Sequence, residues 1–118
     1  MKSILFILSQ PPHGTSSARE ALDAILAASA VTDEISILFS GDGVWQLVGG
    51  QNPQAIGQRH IEPTYGMLDL YDIQSIYLDG NALAARALDA NALILKGDVL
   101  SAQQQQALLH RHSIILRF

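Results

Sequence analysis

Residues 4–8, Ile4-Leu5-Phe6-Ile7-Leu8, are an unbroken apolar run that gives way to a polar turn, Ser9-Gln10-Pro11-Pro12-His13-Gly14-Thr15, and then to a helical pattern. The run shows no polar alternation, so it reads as a strand buried on both faces, as a helix-covered parallel sheet requires. Pro11 and Pro12 have no ladder donor, which ends the strand near Ser9. Ser17-Ala18-Arg19-Glu20 fits a capping box. Beyond it Ala18, Ala21, Leu22, Ile25 and Leu26 recur at three- and four-residue steps, a stripe able to cover a sheet.

The same strand-turn-helix unit repeats along the chain. Ile35-Ser36-Ile37-Leu38-Phe39, Ser75-Ile76-Tyr77-Leu78, Leu93-Ile94-Leu95-Lys96 and Ser113-Ile114-Ile115-Leu116-Arg117 read as four further strands. Between them, Asp42 is placed to cap a short helix holding Val44, Trp45, Leu47 and Val48, which Gly49-Gly50 stops. Asn52-Pro53 suits one brief helical turn, and Tyr65, Leu68 and Tyr71 share a helical face within a segment running from Ile61 or Pro63 to Tyr71. Asp79-Gly80-Asn81 leads into an alanine-rich helix through Leu88, while Ser101-Ala102-Gln103-Gln104 is a second capping box, for a helix ending near His110. Gly97-Asp98 reads as a turn. Five strands separated by helices predict an α/β fold, a three-layer α/β/α sandwich on a five-stranded, mostly parallel sheet, with residues 1–118 as one domain.

Composition narrows the function classes. Hydrophobic residues are 48% and charged residues 15% of 118, an apolar balance that suits an oligomer. Net charge is −4 with seven Lys plus Arg and no basic cluster, which argues against direct nucleic-acid binding. Cysteine is absent, so disulfides, thiolate metal sites and a cysteine nucleophile or sulfur carrier are excluded on this chain. Neither a secretory signal nor a membrane span is readable, and the expectation is a cytoplasmic protein with no membrane role.

In sheets of this type ligands sit at the carboxyl ends of the strands, here Ser9 to Ser17, Ser40 to Val44 and Leu78 to Asn81. The turn from Gln10 to Ser17 precedes a helix and can hold an anion, but it matches no phosphate-loop spacing and reads better as a capped turn. His13 has no partner group that sequence can place beside it. Asp42 and Asp79 end neighbouring strands, as a magnesium or phosphoryl site would need, and both are equally the residues expected at helix caps. His110 and His112, with His60, do not complete a metal site and read as solvated. No catalytic, cofactor or metal residue is therefore assigned. Val44, Trp45, Leu47 and Tyr65 are the partner-interface candidates, since aromatic residues favour interface centres; the same residue types fit a core equally well.

Pro12-His13-Gly14-Thr15, Arg19-Glu20-Ala21-Leu22-Asp23-Ala24, Gly41-Asp42-Gly43-Val44, Leu70-Tyr71-Asp72-Ile73 and Ile115-Leu116-Arg117-Phe118 occur in an order that resembles the DsrE/DsrF family over nearly the whole chain. The resemblance implies a five-stranded α/β/α fold and a supporting place in a cytoplasmic sulfur-relay complex serving tRNA 2-thiouridine synthesis. The implied partners are TusB-like and TusD-like subunits, in a dimer of heterotrimers, with a TusE-like acceptor reached through the complex. Sulfur-carrying members hold a persulfide cysteine just after the third strand, where this chain reads Leu78-Asp79-Gly80. A DsrF-like subunit of a sulfur-oxidation complex, and a flavodoxin-like module using the Gln10 to Ser17 turn with Asp42, are the alternatives.

Overall fold

A computed structural model describes residues 3–10, 17–47, 75–93 and 97–118. Five strands form one sheet: β1 (Ile4–Leu8), β2 (Ile35–Phe39), β3 (Ser75–Asp79), β4 (Asp98–Leu100) and β5 (Ile114–Arg117), in the order β4-β3-β2-β1-β5. All neighbours pair in parallel, with Ile4 opposite both Ile35 and Ile114, and Leu38 opposite Tyr77. Three helices are described: α1 (Ser17–Ala28), α2 (Gly80–Ala85) and α3 (Ala102–Arg111). A 3-10 helix spans Gly41–Leu47 and a shorter one Ala90–Ala92.

Every residue of β1 and β2 is buried, as a central strand without alternation requires. One face packs Phe6, Leu8, Ile37 and Phe39 against Ala21, Leu22 and Ile25 of α1, against Val44 and Leu47, and against Ala82 and Leu83 of α2. The opposite face is a smaller cluster in which Leu5, Ile7 and Leu38 meet Leu108, with Tyr77, Leu100 and Leu109 beside them. Helices thus cover both faces of the sheet, which makes the expected three layers.

Several local expectations are corrected. The ladder against β3 is made by Asp98–Leu100, which the sequence assigns to a turn and to the residues entering the last helix, whereas Leu93 comes after the Ala90–Ala92 helix and residues 94–96 lie outside the described ones. A short edge strand needs little apolar character, so Asp98 and Val99 stay exposed while pairing. Gly97 lets the chain come alongside, since a Cβ there would meet the Ile76 carbonyl oxygen. Ser17 is the first residue of α1, a first-turn position instead of the cap before it. Asp42 does not cap a helix: Gly41, with φ 52°, begins the 3-10 segment, and Gly43 N–H donates to the Ser40 carbonyl at 2.8 Å to close its first turn. The alanine-rich helix ends at Ala85, where Arg86 is the C-cap and Ala87 comes next at φ 54°. The capping box of α3 forms as the sequence indicates, with the Ser101 hydroxyl accepting from the Gln104 amide and the Gln104 side chain accepting from the Ser101 amide.

Candidate functional site

The carboxyl edge of the sheet is built from two turns that sequence places far apart. Strand β2 runs into Ser40-Gly41-Asp42-Gly43, and β3 runs into Asp79-Gly80-Asn81. They meet because Gly43 lies directly on β1: a side chain there would overlap the Leu8 carbonyl oxygen, so only glycine fits this close approach. The register of β2 and β3 then sets Asp79 beside Ser40 and Gly41.

Asp79 joins three elements. Its Oδ1 accepts from the amides of Asn81 and Ala82 at 3.1 and 3.2 Å, capping α2, and from the Gln105 amide group of α3 at 3.0 Å. Its Oδ2 accepts from the Ser40 hydroxyl and the Gly41 amide, each at 3.4 Å. Burial alone would raise the carboxyl pKa, but the Gln105 side chain and the amides of Ala82, Gly41 and Asn81 outweigh it and hold the group below its ordinary value. Asp79 is therefore a saturated anion within the chain. Asp42 turns the other way, onto Arg86, whose Nη2 donates to Oδ1 at 2.7 Å and whose Nη1 donates to the Ala82 carbonyl at 3.1 Å. The two aspartates lie on one edge, each with its own donors, and no cluster of three or more metal-ligating side chains occurs among the described residues.

The four interface candidates separate. Val44 and Leu47 point inward and are fully buried in the sheet core, because a 3-10 turn places residues three apart on the same side. They have no surface to offer a partner. Trp45, between them, is 37% exposed. Tyr65 lies outside the described residues, as do His13, His60, residues 48–74 and most of the Gln10 to Ser17 turn. Gln46 is buried, and its amide donates to the Gln10 carbonyl at 2.8 Å.

At the amino end of the sheet His112 corrects its reading as a solvated histidine. It is half-buried, with Nδ1 2.8 Å from the Leu108 carbonyl and Nε2 2.8 Å from the Ser36 hydroxyl, while His110 is exposed. Ser36 is the only polar residue in β2 and is itself buried, and that was the available signal: a hydroxyl inside a strand covered on both faces must find a partner. Gln105 was likewise recoverable, since it follows the Ser101 cap by one helical turn and is the half-buried member of an otherwise exposed glutamine run. Arg86 had no such signal.

A parallel sheet clad on both sides, with glycine-shaped turns gathered at its carboxyl edge, defines a small α/β domain of a recognisable type. The family model described as DsrE/DsrF-like matches residues 2–118, and the chain belongs to that family. Among curated proteins it is 42% identical over 119 residues to Protein TusC of Escherichia coli O157:H7 (strain EC4115 / EHEC) and 43% identical to Protein TusC of Klebsiella pneumoniae (strain 342), each alignment covering all of both chains. The fold is similar to the crystal structure of the ychN protein from E. coli, with TM-score 0.81 at 17% identity, and to MTH1491 from Methanobacterium thermoautotrophicum, with TM-score 0.72 at 14% identity; both comparisons cover both chains fully.

Proposed function

We propose that this chain is a supporting subunit of a TusBCD-type sulfur-relay complex, which passes persulfide sulfur toward 2-thiolation of the wobble uridine in tRNA without itself carrying sulfur. One observation carries the reading: a chain similar to TusC proteins over its full length contains no cysteine at all. Persulfide transfer needs a thiolate, so sulfur must be held by another chain. The family resemblance puts the carrying cysteine just after the third strand, where this chain reads Leu78-Asp79-Gly80, and the Asp79 carboxylate at the end of β3 is already engaged by five donors. That arrangement suits a scaffold.

The partners under this reading are TusB-like and TusD-like subunits in a dimer of heterotrimers, with a TusE-like acceptor served by the assembly in the cytoplasm. Trp45 is the contact proposed on this chain, because it is the one exposed large side chain on a segment otherwise anchored in the core. No helix among the described residues is long and apolar enough to cross a membrane. Deletion of the gene should lower 2-thiolation of wobble uridines and leave other tRNA modifications unchanged, as read by nucleoside mass spectrometry; normal thiolation would overturn the assignment. The purified chain should take up no radioactive sulfur from a persulfide donor, and a stable label on it would refute the scaffold role.

A further inference from the structure

The Ser36–His112 pair lies outside the proposed scaffold role and opens on a cavity. The cavity is about 390 Å³ and is lined at the amino end of the sheet by Ser36, Tyr77, Arg111 and His112, with Asp33 and Glu34 among its walls. That volume suits a small molecule.

The hydrogen bonds fix the chemistry of the pair. A backbone carbonyl has no proton to give, so His112 Nδ1 carries the proton that bonds Leu108. In the neutral imidazole Nε2 is then the bare nitrogen, and the Ser36 hydroxyl donates to it. This is the tautomer a general base needs, held by an acceptor behind it and aimed at a hydroxyl in front. The Leu108 carbonyl occupies the orienting role that a carboxylate fills in a triad. Arg111, whose Nη2 donates to the Tyr77 hydroxyl at 3.5 Å, brings a fixed cation to the same cavity.

We propose that Ser36 is an activated nucleophile and that this cavity is an acyl-transfer site for small esters. In the first step Ser36 Oγ bonds to the ester carbonyl carbon, its proton passes to His112 Nε2, the ester C–O bond breaks, and Nε2 returns the proton to the departing alkoxide. In the second, water attacks the acyl carbon with Nε2 taking its proton, and Ser36 leaves with that proton while the acid is released. Arg111 is the cation available to the oxyanion of each tetrahedral intermediate. The carboxylates of Asp33 and Glu34 favour uncharged or cationic esters over anionic ones.

The test treats the intact chain with a fluorophosphonate probe, maps the adduct by mass spectrometry, and follows p-nitrophenyl acetate hydrolysis in parallel. The expected result is a single adduct on Ser36, turnover lost in Ser36→Ala, and labelling slowed about a hundredfold in His112→Gln. A bond that merely holds α3 on the sheet would leave Ser36 unlabelled. Absence of an adduct on the wild-type chain, an adduct elsewhere, or unchanged labelling in His112→Gln overturns the proposal. Should His112→Gln fail to fold, His112→Asn decides: labelling of Ser36 must slow in the same way, and labelling at the wild-type rate is equally fatal.

Discussion

The two ends of the sheet use polar groups in opposite ways. At the carboxyl end Asp79 accepts from five donors belonging to three segments, so its charge is spent on holding β2, α2 and α3 together. At the amino end both nitrogens of the His112 ring are engaged, by the Leu108 carbonyl and the Ser36 hydroxyl, and it is the Ser36 hydroxyl, bonded to His112, that keeps acceptor capacity beside an open cavity. Position alone would point to the carboxyl end, where open α/β sheets ordinarily take their ligands. Saturation points the other way. A polar group whose bonding capacity is used up within the chain is a fastener, and one that meets a single partner beside open space retains capacity for another molecule.

The largest effect that tests this contrast is in the apolar base of the carboxyl end. Leu47→Ala leaves a cavity in a fully buried position and should cost about 2 to 5 kcal/mol of stability, while Trp45→Ala on the same turn should change the melt little and weaken assembly by about 2 kcal/mol or more. Thermal melts set beside co-elution with partner subunits separate the two; a Trp45→Ala chain that assembles at wild-type affinity removes the proposed contact. Next comes the fastener itself. Asp79→Ala strips the cap of α2 and the tie to Gln105 and should cost about 2 to 3 kcal/mol, read by urea denaturation, and Asp79→Asn should cost less because its amide oxygen can still accept.

Acid should weaken the carboxyl end through the same residue. The folded-state pKa of Asp79 lies below its unfolded value of 3.8, so the unfolded chain binds the proton first. The stabilisation is complete above the unfolded pKa and is lost as pH falls through the folded one. Asp79→Asn should flatten that part of the acid-unfolding curve, and an unchanged curve would show that the carboxylate does not carry it. The smallest effect concerns backbone strain. Ala87 sits at φ 54°, where glycine is preferred, so Ala87→Gly should raise stability by up to about 1 kcal/mol, visible as a higher urea midpoint with an unchanged slope.

Four of the five strands are legible in the sequence because each is an apolar run and the central ones have to be. Strand β4 is not, since an edge ladder of three residues can be built from Asp98, Val99 and Leu100 with two of them exposed. Half of the carboxyl-end site is equally legible: Asp79 before Gly80-Asn81 announces a cap. Its other donors do not, because Ser40 and Gln105 lie 39 and 26 residues away and only strand register and helix docking bring them in. The inward turn of Val44 and Leu47 also escapes sequence, since an α-helix and a 3-10 helix distribute the same five side chains differently over their faces. His112 and Ser36, 76 residues apart, are joined by the docking of α3 alone.

The placement of β5 beside β1 has a consequence for biosynthesis. Ser3 and Ser113 exchange backbone and side-chain bonds across a separation of 110 residues, and Phe118 N–H donates to the Ile7 carbonyl while its ring stacks on Phe6. Strand β1 is thus flanked on one side by a strand synthesised about 110 residues after it. Until β5 emerges β1 has an open flank, and chaperone occupancy on the nascent chain should persist until β5 has been made.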